Sequence, residues 1–314
     1  MYFPYLRGKQ FELLALRDFA TGNQNKENVV PIIEPVKQQF NNLNMAITTM
    51  LGNALQFAII LNPQDGDFRH PNVNNDILEN LISLGDTSDS WIPAYIYKQN
   101  PNVLLNHIVQ NNLQQVMIIF PNGADVNDED LMEFLRNEKV AYIVNGNNGN
   151  RSARARLLKL NKRLISLEDR FNSKTRNADY ADSDDEFFSD DFAYYNTDGL
   201  YGFSDYTALP KDFIEGGMMP YAIAIHITYQ KAEDQIFVHH FVSDSNFDQS
   251  NIRGKFHEAA VKIAPFFDVG IVRTLAVDEL IEKANQEEGY PGLGYIKKLS
   301  IMNHLELING ILSD

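Results

Sequence analysis

Short apolar runs alternate along the chain with stretches in which apolar residues recur at helical spacing. Residues 2–6 form a first extended run ended by Gly8, and residues 9–19 then place Phe11, Leu14, Ala15 and Phe19 on one helical face. VVPIIEPV (29–36) is β-branched and nearly continuous, which predicts a second strand. It is followed by a helical pattern over 41–55 and a third strand, FAIIL (57–61), stopped by Asn62-Pro63. A short helix over 76–84 leads to WIPAYIY (91–97), and Pro101 stands at a favourable first helical position for a helix reaching 109. VMIIF (116–120) is a further strand; Asp128, Glu129 and Asp130 open the next helix, where acids suit the positive N-terminal end. VAYIV (140–144), a helix over 151–160 and RLISL (163–167) continue the alternation. After a long irregular stretch, YAIAIHITY (221–229) predicts a strand that pairs as a hairpin with IFVHHFV (236–242). Helices are expected near 256–264, 277–284 and 299–312.

Apolar strands separated by helices imply parallel strands covered on both faces. Residues 2–229 hold about eight strand–helix steps, the number that closes a TIM-like (β/α)8 barrel. The competing architecture is an open doubly wound sheet, but no GxGxxG turn follows the first strand. The expected fold class is therefore α/β. A single barrel-like domain over 1–314 would carry 170–213 as an inserted lid-like loop between the seventh and eighth barrel strands, and 251–314 as a C-terminal helical extension.

Composition adds limits to this picture. Of 314 residues, 44% are hydrophobic, enough to build a core. A domain of this size buries about three quarters of its unfolded surface. With 27 Lys+Arg against 42 Asp+Glu the net charge is −15, which disfavours direct nucleic-acid binding without a basic partner. The absence of cysteine removes disulfides, thiol catalysis and thiolate metal sites, and suits a reducing compartment. No basic-then-apolar leader opens the sequence and no apolar run reaches the roughly 20 residues that span a bilayer. A cytoplasmic protein without a membrane partner is expected.

In a barrel of this kind, chemistry belongs at the C-terminal ends of the strands. Those ends carry Arg7 and Lys9, Glu34, Asn62, Lys98, Asn122, Asn145, Glu168 and Asp169, and, on the expected last strand, His226. Asn, Asp and Pro also end strands for reasons of turn geometry alone. Glu34 stands apart, because a carboxylate inside VVPIIEPV needs a partner once buried.

The segment 168–213 is too long for an ordinary connection. Its aromatic residues, among them Phe187, Phe188, Tyr201, Phe203 and Tyr206, argue for order. Seven acids fall between Asp179 and Asp191. They lack EF-hand spacing, so a solvated acidic loop is the plain alternative to a cation site. Arg170, Lys174 and Arg176 are placed to pair with those acids or with a phosphate. Arg151, Arg154, Arg156, Lys159, Lys162 and Arg163 form the one dense basic stretch, read chiefly as a solvated helix face. His226 and His240 are placed to meet across the hairpin, either as a sheet pair or as metal ligands with Asp205 or Asp244. GxxxxGK[ST], HExxH and GxSxG are all absent.

PYLRGKQFELLALRDF followed by VVPIIEPVK resembles the beta-protein family named after a protein of T-even phages. LEDRFNSKTRNADY, FFSDDFAYY, YGFSDY, PYAIAIHITY and HHFVSDS are similar to one bacterial branch of that family, and the likeness spans about residues 1–264. Members of this branch stand beside a second gene whose product looks like a PD-(D/E)xK nuclease, in anti-phage or mobile-element contexts. The resemblance implies context and a nuclease-like partner but no catalytic mechanism. Its motif positions are Lys9, Glu12, Glu34, Glu168, Asp169, Arg176, Asn177, Asp179, Asp205, Tyr206 and His226.

Two classes of function follow. One is a component of a two-gene anti-phage defence system that binds its partner, and with it a phage-derived or phosphate-containing ligand at the barrel mouth. The other is a metal-dependent phosphodiesterase or nuclease. There Glu34, Glu168 and Asp179 would hold Mg²⁺ or Mn²⁺, Lys9, Glu34, Glu168, Asp169 and His226 would be the catalytic candidates, and Arg7, Asn62, Asn145, Arg170, Arg176, Asn177, Asp205 and Tyr206 would bind the ligand.

Overall fold

The computed structural model describes all residues except 23–24, 71–72, 74, 85–89, 99, 148, 217–218, 269, 287–288 and 314. In chain order the strands are β1 (Tyr5–Arg7), β2 (Ile32–Glu34), β3 (Ala58–Ile60), β4 (Ile92–Ile96), β5 (Val116–Phe120), β6 (Val140–Gly146), β7 (Arg163–Glu168), β8 (Asp185–Ser189), β9 (Gly202–Asp205), β10 (Ala224–Ala232) and β11 (Gln235–Val242). The described residues fall into two compact units. The first comprises Met1–Lys9, Lys26–Glu168 and Tyr194–Asp205; the second comprises Gln10–Asn25, Asp169–Ala193 and Tyr206–Asp314. These limits differ from the expected segment boundaries at 170–213 and 251–314.

The first unit is a nearly closed eight-stranded parallel barrel, in strand order β1 to β7 and then β9. Its strands are short, and β2 to β5 are buried along their whole length, so runs such as β4 and β5 read as unbroken apolar stretches. The helices Asn41–Gly52, Ile77–Ser83, Pro101–Gln110, Glu129–Arg136 and Arg151–Leu158 follow β2 to β6 in turn. Asn100, Asp128 and Asn150 cap three of them by accepting the backbone N–H three residues on. Beside β1 the ring closes onto the N-terminal residues. Phe3 N–H donates to Phe203 O at 2.8 Å, Phe203 N–H donates to Met1 O at 3.1 Å, and the Tyr2 ring stacks on Phe203.

The eighth barrel strand is therefore β9, not residues 221–229. GFSD is four residues long and half polar, so no hydrophobic run announces it. Residues 221–229 contribute instead to β10, which pairs antiparallel with β11; β11 pairs in turn with β8. The segment 170–213 is likewise not a loop, since it contains β8, β9 and the short helix Asp191–Tyr194.

This three-stranded sheet belongs to the second unit with the helices Gln10–Gly22, Ile252–Ala260, Ile263–Phe267, Leu275–Asn285 and Leu293–Ser313. Ile225, Ile227 and Phe241 from the sheet share its core with Phe256, Ile263, Val277, Leu280 and Leu299. The 21-residue helix Leu293–Ser313 is buried on nearly every face, so its polar residues need internal partners. Asn303 Nδ2 donates to Thr228 O at 2.9 Å and its Oδ1 accepts from Thr274 at 2.8 Å. Glu306 accepts from the Ala276 N–H at 3.0 Å. Helix Gln10–Gly22 comes close enough to this helix that a Cβ on Gly294 would meet the Phe11 ring at 1.9 Å.

Candidate functional site

Because the barrel strands are parallel, Arg7, Glu34, Asn62, Asn145, Glu168 and Asp205 all fall at its C-terminal end. Arg7 and Glu34 are register partners on β1 and β2, and Glu168 and Asp205 on β7 and β9. Glu34 is 2% exposed and accepts two hydrogen bonds, from Tyr5 Oη at 2.6 Å and from the Gln64 N–H at 2.8 Å. Burial raises its pKa above the ordinary carboxylate value, and these two donors only partly offset that. Arg7 Nε donates to Asp65 at 3.2 Å, with Arg69 on the other Asp65 oxygen at 3.0 Å. Asp205 accepts from the buried Tyr2 hydroxyl at 2.7 Å.

The two asparagines at this end do structural work. Asn62 extends the sheet ladder beyond β3: its amide donates to Ile96 O and accepts from Ile96 N–H, both at 2.8 Å. Asn145 is buried, accepts from Ala124 N–H at 2.8 Å and donates to Gly146 O at 2.9 Å, which fixes the turn after β5. Lys9 is half-buried just after β1, Lys98 is exposed after β4, and Asn122 follows β5.

The expected metal set is not assembled. Asp179 is bound by Arg176, with Nη2 donating to Oδ1 at 2.6 Å, and Glu34 is held by Tyr5 and Gln64. Among the described residues no group of three or more His, Asp or Glu is placed to hold a metal ion. The basic residues upstream of the acidic run pair with it: Arg170 grips Asp191 with two parallel bonds at 2.9 and 2.6 Å, and Lys174 donates to Glu186 at 2.6 Å. Asp169 is exposed, and Tyr206 is buried within the second unit.

The second unit holds a cavity of about 790 Å³, within the range of small-molecule sites. Three positions expected for the barrel mouth, Arg176, Asn177 and His226, line this cavity instead. His226 lies there because β10 is part of the antiparallel sheet, and Arg176 and Asn177 open the short 3-10 turn Asn177–Asp182. The walls are mainly apolar: Phe171, Tyr180, Ala208, Leu209, Met219, Pro220, Ala222, Ile223 and Ile296. Lys174, Arg176 and Lys297 supply three cations, and among the described residues none that lines the cavity is Asp or Glu. Asn177 donates its amide to Ala222 O at 2.8 Å, which leaves its Oδ1 for a ligand. Lys174 stands out in the sequence as a partner for the acids or a phosphate, but Tyr180 and Lys297 were not legible as site residues, because their segments converge only in the folded unit.

His226 and His240 are cross-strand partners of β10 and β11, and their Nδ1 atoms lie 2.8 Å apart. A contact of this kind needs one donor and one acceptor, so it excludes two imidazolium rings. Burial lowers both pKa values below the usual histidine value, that of His240 to about 4 despite nearby Glu186. His240 Nε2 lies 3.6 Å from Glu186 Oε2, longer than a hydrogen bond, and the nearby carboxylate favours the tautomer that carries the proton on this Nε2. On that assignment His226 donates from Nδ1 and keeps Nε2 as an acceptor at the cavity wall. The Tyr180 ring lies 4.6 Å from both imidazoles, and Phe171 lies 5.0 Å from His226. The pair does not form a metal site with Asp205 or Asp244, since Asp205 binds Tyr2 and Asp244 pairs with Lys262 at 2.7 Å.

In comparisons with known proteins, no protein-family model matches the chain, and no curated protein or solved structure matches it either. Among the described residues no helix is long and apolar enough to cross a membrane.

Proposed function

We propose that this chain is the recognition component of a bacterial two-gene anti-phage system, in which a nuclease-like partner from the adjacent gene carries the phosphodiester chemistry. The observation behind this reading is a cavity with no Asp or Glu among its described lining residues. In a chain with 42 acids and a net charge of −15, a pocket of about 790 Å³ lined by Lys174, Arg176 and Lys297 suits an anion. Lys174 and Arg176 are already paired to Glu186 and Asp179, and Lys297 is left to face the ligand. That Arg176, Asn177 and His226, motif positions of the family the sequence resembles, meet there favours a shared binding role. The carboxylates at the barrel end do not favour turnover in the same way, because Glu34 and Asp205 are already engaged by buried tyrosines.

The test uses both genes in a phage-challenged host. Lys297 is exposed and lies on the cavity wall, so Lys297→Glu leaves the core untouched while reversing the charge offered to a ligand. Loss of protection with retained co-purification of the two products is the expected result. Full protection by Lys297→Glu would remove the cavity from the function, and failure of the two products to co-purify would remove the two-component scheme.

A further inference from the structure

The geometry points to the ligand of this cavity being a small planar aromatic anion of mononucleotide size, a heteroaromatic ring carrying a phosphate. This inference rests on the reading of the cavity as the recognition site and adds the chemistry of its occupant. The charge argument asks for an anion, but charge alone would be met by a shallow basic patch. This site is instead a half-open cavity of about 790 Å³ with mainly apolar walls, so the ligand must also bring a body able to replace water against carbon.

The wall chemistry favours a flat ring over an alkyl chain. Phe171, Tyr180 and His226 form one connected aromatic surface, with ring centroids 4.6 to 6.0 Å apart. The His226 ring is locked by its bond to His240, so this surface is held in place before a ligand arrives. Among the lining residues, the large apolar side chains Ile214, Met219 and Tyr221 are each more than half exposed. Polar groups sit between these surfaces: the free Oδ1 of Asn177, the ring edge of His226 and the hydroxyl of Ser300 give a heteroaromatic edge hydrogen-bond partners that an alkyl chain would leave unused.

The cations are not equivalent. Lys174 already holds Glu186, and Arg176 already holds Asp179, whereas Lys297 has no carboxylate partner among the described residues. Lys297 is thus the main anchor for the anionic group. Arg176 can add donors from a guanidinium that presents five N–H groups.

The experiment is titration calorimetry of the full chain with AMP, adenosine, inorganic phosphate and decyl phosphate. One-to-one binding of AMP is expected. Adenosine, inorganic phosphate and decyl phosphate should each bind at least about tenfold more weakly, since each lacks either the anion or the ring. Lys297→Glu should weaken AMP by about tenfold or more and leave adenosine nearly unchanged. Lys297-dependent binding of decyl phosphate with none of AMP would overturn the aromatic assignment while the cavity stayed a recognition site. Binding of inorganic phosphate as tightly as AMP would overturn it too. If neither AMP nor decyl phosphate bound, both this inference and the reading beneath it would fall.

Discussion

The Nδ1 atoms of His226 and His240 face each other at 2.8 Å across a register pair of β10 and β11, beneath the ring of Tyr180. This one contact sets the protonation of the site. One proton can be added at the free Nε2 of His226 with the bond between the rings kept, but charging both rings would break it, and burial already makes the place hostile to charge. The groups facing the pair are Glu186 beside His240, and Lys174 and Lys297, whose charges also oppose protonation.

The first prediction follows from this. Both histidines have folded pKa values below the unfolded value, so the unfolded chain binds protons first as pH falls. Their contribution is complete above about pH 6.5 and is lost as the pH falls toward 4, by on the order of 1–3 kcal/mol for His240. Urea unfolding at several pH values should show that decline. His240→Asn, whose amide can still meet His226, should flatten it; an unchanged slope would mean that the histidines are not its source.

Glu34 predicts the opposite sign. Its folded pKa is raised by burial, so the charged carboxylate is a liability above that value and the folded protein takes up a proton first as pH falls. Glu34→Gln removes the charge and can still accept from Gln64. Relative to the parent protein, this variant should look best near pH 8 and lose that advantage as the pH falls through the raised pKa toward the ordinary value. Tyr5→Phe takes away the donor at 2.6 Å and should cost about 1–3 kcal/mol near neutral pH. A Glu34→Gln variant whose relative stability does not change with pH would show that Glu34 does not titrate in this range.

How far these sites were legible depends on what each residue needs around it. The first seven barrel strands could be read because a parallel strand buried on both faces is an apolar run, as in VMIIF. GFSD could not, since its place is fixed by pairing on both sides and not by its own hydrophobicity. Glu34 was conspicuous as an acid within such a run, but its donors Tyr5 and Gln64 lie 29 and 30 residues away and are set by the barrel register. The facing of His226 and His240 followed from the hairpin. The cavity around His226 did not, because Tyr180, Lys174 and Lys297 come from segments that no local pattern links.

Asn62 and Asn145 separate a ligand role from a structural one. Each amide makes two backbone hydrogen bonds, so Asn145→Ala would leave the Ala124 N–H without its partner inside the barrel end. A loss of about 1–3 kcal/mol by chemical denaturation is expected for Asn145→Ala. Asn62→Asp keeps the acceptor for Ile96 N–H but sets a carboxylate against Ile96 O, and should destabilise to a similar degree. Either variant keeping parental stability would return its residue to the pool of ligand-binding candidates.

The closure of the barrel can be tested at a single atom. Gly202 opens β9 where this strand meets the N-terminal residues, and a Cβ there would lie 2.6 Å from Met1 O and 2.6 Å from the Phe3 ring. Backbone and a buried aromatic ring cannot both give way without disturbing the Phe3–Phe203 and Phe203–Met1 hydrogen bonds that join the two edges. Gly202→Ala should therefore cost about 1–3 kcal/mol and speed hydrogen exchange at the amides of Phe3 and Phe203. Gly310 is the matched control. It sits in the helix Leu293–Ser313 with nothing within 4 Å of a built Cβ, so Gly310→Ala should stabilise by about 0.5–1 kcal/mol through backbone entropy alone. Should Gly202→Ala prove as stable as the parent, with both amides still protected, the edges of the barrel would not be joined as described.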